Sequence, residues 1–311
     1  MNLLLLAVLA ASLPTFEDFR RADRERRTTG QFQTAESVKL TLIDPELIAR
    51  TASQHVDDPA ILWGAAELLV DWSKQKPMFE SALRACGTNV AVALRFACAA
   101  ARHSDFDVAA QWLRYCEQND AANAAPWIAE LWMLRRQRQP EKLSHPPQKR
   151  PTDFRDYSVE ATRARIKLLE AAGCSPYSAR RLGFSPDSAL LSMARDLCKA
   201  PVPGDALPLL QNAAKRMQQH PTFLLTELVG QTIERTLLAA RKDTATNLEI
   251  ESRIAAMDDR REEINMLIAD VGRNTIDLAT EQQMVSYLDN ALANGEETAM
   301  RKLAEAVRHG P

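Results

Sequence analysis

Apolar residues recur along this 311-residue chain at intervals of three and four, the period of an amphipathic helix. Turn and cap signals divide that pattern into short elements. Residues 16–27 alternate opposite charges at helical spacing, which predicts a solvated helix docked by Phe16 and Phe19. Asp44-Pro45 and Asp58-Pro59 each set an N-cap acceptor before Pro at the first helical position. Residues 60–72 are strongly apolar, 74–77 (KQKP) read as a connection, and 78–86 read as a short helix that Gly87 can close.

Residues 138–156 break the pattern with four prolines and little apolar content. Helical periodicity returns at 158–172, which Gly173 can cap. Ser175-Pro176 and Ser185-Pro186 repeat one start signal, for short helices to about 182 and 198. After a turn at 200–205 come longer helices at 206–219 and 222–241. Ile250, Ile254, Met257, Arg261, Ile264, Ile268 and Val271 alternate spacings of four and three, a coiled-coil-like seam interrupted by Arg261. Asp258, Asp259, Arg260, Glu262 and Glu263 read as its solvated face. Helices at 278–292 and from Glu296 onward, burying Met300, Leu303 and Val307, complete the chain.

The stretch 59–137 repeats. Asn89 and Asn123, each starting a helix, lie 34 residues apart, as do Ala93 and Trp127, Ala82 and Cys116, and Phe79 and Leu113. Here the chain resembles a degenerate tetratricopeptide repeat. Within 89–122, Ala97 matches the small residue of the first helix and Asp105-Phe106 the turn and its aromatic. Ala109 opens the second helix, Leu113 and Cys116 match its large and small packing positions, and Trp127 matches the aromatic early in the next unit. Two positions depart from the family pattern: Ala100 replaces a late aromatic and Ala121 the closing Pro. The resemblance implies stacked helical hairpins that act as a binding scaffold. An ordinary antiparallel bundle with hairpins of equal length is the alternative.

Composition narrows the fold class. Forty-eight Ala against 24 Val plus Ile, with 10 Gly and 6% aromatics, argue against a sizeable sheet. The 46% hydrophobic content excludes a fully disordered chain. The expected fold is all-α: a helical-hairpin repeat array, then a C-terminal helical bundle with a short coiled-coil-like hairpin. The expected divisions are 1–14, 15–137 (repeats), 138–156 (a Pro-rich basic linker) and 157–311 (C-terminal helices).

Residues 1–14 are either a signal peptide or a first apolar helix. The run 3–11 followed by Ala10, Ala11 and Ser12 resembles an export signal without a preceding Lys or Arg, and is too short to span a bilayer. A cleaved signal implies an exported protein, and an uncleaved one a cytoplasmic protein. The five cysteines form no CxxC pattern and read mainly as buried thiols. A net charge of −2 lacks the basic excess of a nucleic-acid binder.

Candidate chemistry is sparse. No HExxH, Walker A, GxGxxG or GxSxG motif occurs, so no cofactor or metal is expected and the chain reads as non-enzymatic. His103, Asp105 and Asp107 alternate ligand types but sit where turn caps belong. Arg180-Arg181 beside Tyr177 could hold an anion or form surface pairs. Glu227 and Glu234, seven apart with Gln231 between them, can share one face of an apolar helix. They are the only candidates for acid–base work.

All five Trp lie before residue 138, and Trp63, Trp112, Trp127 and Trp132 are the candidate contacts to a protein or peptide partner. The expected function is a protein–protein interaction scaffold. The alternatives are self-association through 250–271 and an all-α enzyme with its site between the two helical blocks.

Overall fold

The computed structural model describes residues 13–29, 43–139, 151–184, 189–199, 206–219, 221–239, 247–271, 275 and 278–308. The expected apolar run 3–11, the Ser185-Pro186 start signal, the 200–205 turn and positions 140–150 of the linker lie outside them. The described residues form fifteen helices and no strand. None of these helices is long and apolar enough to cross a membrane.

The helices are α1 (Phe16–Thr29), α2 (Pro45–Gln54), α3 (Pro59–Leu68), α4 (Trp72–Cys86), α5 (Val90–Arg102), α6 (Phe106–Asn119) and α7 (Ala125–Arg136). Then come α8 (Ser158–Ala171), α9 (Pro176–Gly183), α10 (Ala189–Leu197), α11 (Leu207–Gln219), α12 (Leu224–Ala239), α13 (Asn247–Asp270), α14 (Glu281–Asn294) and α15 (Glu296–Arg308).

Several start signals act as their chemistry requires. Asp44 accepts from the Glu46 amide, Asp58 from Ala60 and Ile61, and Asn89 from Ala91 and Val92. Gly87 ends α4 in the left-handed conformation. The expected connection at 74–77 is overturned: α4 begins at Trp72 and carries Pro77 inside it. Asp71 caps this earlier start through the Ser73 amide and hydroxyl. Trp72 anchors it by stacking on His103 at 5.1 Å and donating to Asp105 at 3.3 Å. Lys76 also reaches the Asp105 carboxylate, so the side chain expected to cap α6 serves a tertiary contact instead.

Helices α3–α4 and α5–α6 form hairpins, and α7 packs on both α5 and α6. α8 then lies along α3, while α10 packs on α5, α7 and α12. Gly64 permits the α3–α8 approach: a Cβ there would come within 2.3 Å of the Ala164 carbonyl oxygen. One apolar core therefore runs from Ile48 through Leu134's neighbours to Leu237, drawing on both sides of 138–156. The Pro-rich stretch ends a helix but does not separate two cores. Asn123 fixes its exit, donating to the Arg155 carbonyl and accepting the Arg155 and Ala125 amides. A second core joins α1, α9 and α12–α15, with Phe16 and Phe19 set edge-on to Tyr177 as docking residues of α1.

The seam of α13 is buried at Ile250, Met257, Ile264 and Val271, one residue per heptad. Ile254 and Arg261 are half-buried and Ile268 is 42% exposed, so the alternate line of the expected seam is only partly covered. These residues meet the chain's own core, which takes up the surface expected to drive self-association through 250–271.

Candidate functional site

The four tryptophans do not gather on an open surface. Trp63, Trp127 and Trp132 are buried in the first core, beneath the helices that α8 and α10 cover. Trp63 donates to Glu67 at 3.1 Å, and Arg136 stacks over Trp132. Trp112 alone is half-buried, within an aromatic row containing Phe96 and Tyr115.

Arg180 pairs with Glu170 and Asp289, and Arg181 faces Asp23 across 3.7 Å, so internal carboxylates occupy the proposed anion site. Among the described residues, no group of three or more His, Cys, Asp or Glu could hold a metal ion. The five cysteines are all free thiols, and burial pushes the Cys98 thiol up to about 12.

The structure brings Glu227 and Glu234 together in a cleft of about 1120 Å³ bordered by α11, α12 and α13. The spacing of α12 explains its floor. Glu227, Gln231, Glu234 and Leu238 follow four-, three- and four-residue steps and so share one stripe. On the opposite flank of α12, Gly230 lies against Met217 and the Ala214 carbonyl of α11.

Both carboxylates are buried and both are held by arginines of α13. Arg260 reaches Glu227 through Nε at 2.8 Å and Nη2 at 3.1 Å. Arg253 reaches Glu234 through Nε at 3.0 Å and Nη2 at 3.1 Å, and Gln218 adds a 2.6 Å bond. Such two-bond forks fix direction as well as charge. Burial alone would raise the Glu234 carboxyl. The bonds from Arg253 and Gln218, with the Arg253 and Lys215 charges, outweigh it and hold the group below the ordinary carboxylate range.

Arg260 is also the hub of a wider network. It binds Glu263 and Glu297, and Arg301 of α15 joins the same two acids. The expected solvated face of α13 is thus corrected at Arg260, whose side chain is 29% exposed and tied to α12 and α15. Arg253, Arg260, Gln218 and Lys215 are the cleft residues the sequence reading passed over. The available signal was the matching seven-residue spacing of the two acids and the two arginines on consecutive helices.

Chemically, the cleft offers fixed hydrogen-bonding groups in a neutral field. Lys215, Arg253 and Arg260 balance Glu227, Glu234 and Glu249 along its walls. Leu237, Leu238, Ile250, Ala256 and Met257 supply apolar surface between them. No protein-family model, curated protein or solved structure matches the chain.

Proposed function

We propose that the protein is a non-enzymatic interaction protein that receives its partner in the α11–α12–α13 cleft. The observation carrying this reading is a wide, charge-balanced cleft whose walls are already fixed by two Glu–Arg forks. A carboxylate held ionised by a guanidinium is a poor proton donor, so the state of Glu234 favours binding over acid–base chemistry.

The repeat reading draws support from equivalent burial 34 residues apart. Phe79 and Leu113 are both buried, as are Ala82 and Cys116. In this reading the hairpins α3–α7 are a scaffold closed by the chain's own α8 and α10. The partner surface therefore moves from the tryptophans to the C-terminal cleft.

A photo-crosslinking residue at Ser252, on the cleft rim, tests the proposal in cells. It should capture discrete species that the same residue at Arg84, on exposed α4 surface, does not. Identical capture from both positions would sink the proposal.

A further inference from the structure

We infer that the cleft takes an extended polypeptide segment and holds it through the segment's backbone amides. This inference rests on the cleft being the partner surface and adds the chemistry of what fills it.

Gln231 carries the argument. It lines the cleft and is 3% exposed; its Nε2 donates to Glu227 at 3.3 Å, while its Oε1 has no hydrogen-bond partner. An acceptor buried without a donor is unfavourable, and an arriving N–H group relieves it. Gln211, Gln218 and Gln219 line the cleft from α11. Each glutamine amide carries both donor and acceptor groups, the same complement as a peptide unit.

The dimensions agree. From Glu227 to Leu238 the floor stripe spans about 16 Å at ~1.5 Å per residue. That length takes about five residues of extended chain at ~3.3 Å each. An extended segment brings unpaired N–H groups to Gln231 and side chains to Leu238, Ile250 and Met257. A helix satisfies its own backbone and would leave the Gln231 acceptor unmatched. A small cation would be repelled by Arg253 and Arg260, and the Glu forks leave no net positive field for an anion.

The test selects a display library of random seven-residue peptides against the full-length chain. Enriched peptides should bind the wild-type chain and lose binding when Ala256→Trp fills the cleft. They should weaken about tenfold with Gln231→Leu, and by a similar factor when one backbone nitrogen is methylated. The N-methyl scan uses the unaltered chain, so it decides the matter even if Gln231→Leu fails to fold.

Peptides blocked by Ala256→Trp but indifferent to every N-methylation overturn the backbone inference and leave the cleft as a binding surface. Peptides indifferent to Ala256→Trp, or no enrichment at all, overturn both.

Discussion

Glu234 and Arg253 meet through two parallel hydrogen bonds, in the same geometry that joins Glu227 to Arg260 seven residues away on each helix. The two forks set the register of α13 against α12, since a slip of one residue breaks both. Arg253 is half-exposed and can turn to water, so the cost of losing Glu234 is moderated. We expect Glu234→Gln to lower stability by about 1–2 kcal/mol, seen as a shift in the urea midpoint. Amide exchange should rise most in 247–257. Unchanged exchange there would mean that the apolar seam alone holds α13.

Glu117 is set the other way. Burial, then the charge of Glu130, raises its carboxyl to about 8, and its Oε1 has no hydrogen-bond partner. A folded value above the unfolded one means that the fold favours the protonated form. That stabilisation is complete below the unfolded value of about 4.5 and is lost as pH rises through about 8. The urea midpoint should therefore fall between pH 7 and pH 9, and Glu117→Gln should flatten the fall. Equal slopes for the two proteins would remove Glu117 as the cause.

Replacing Gly with Ala inside a helix ordinarily adds up to about 1 kcal/mol. At Gly64 the sign should reverse, because the new methyl would sit 2.3 Å from the Ala164 oxygen and force α3 and α8 apart. A loss of about 2–3 kcal/mol is expected from such overpacking. Calorimetry of Gly64→Ala decides it, and a raised melting temperature would refute the close approach.

Asn123 is 1% exposed and uses both side-chain atoms to hold Arg155, Ala125 and Asp120. Asn123→Ala leaves the Arg155 backbone without those partners, at a cost of about 2–4 kcal/mol. Limited trypsin digestion should then cut after Arg155 well before the wild-type chain is cut there. Equal cutting rates would show that the segment is held by Tyr157 and its bond to Asp120 instead.

Much of the helical framework could be read from local chemistry. Asp-Pro pairs, Asn89 and Gly87 act within one turn of chain, and so they mean in the fold what they mean in the sequence. Pro77 misled because the docking of Trp72 on His103, 31 positions away, extends α4 across it. The tryptophans misled for a related reason. Aromatic enrichment marks both partner surfaces and cores, and only the arrival of α8 and α10 decides between them. The stripe formed by Glu227 and Glu234 was visible as helical spacing, but the arginines that hold them belong to the next helix. Their pairing depends on an interhelix register that single-helix periodicity does not contain.

The union of α3 with α8 also has a consequence for synthesis. A ribosome releases Gly64 about a hundred residues before Ala164, the partner it packs against. Until then the nascent chain carries the apolar sides of α3, α5 and α7 without their cover, a state prone to association with other chains. Completion of the first core must wait for α10 as well, which makes its closure a late, long-range event and the period before it the chain's most vulnerable moment.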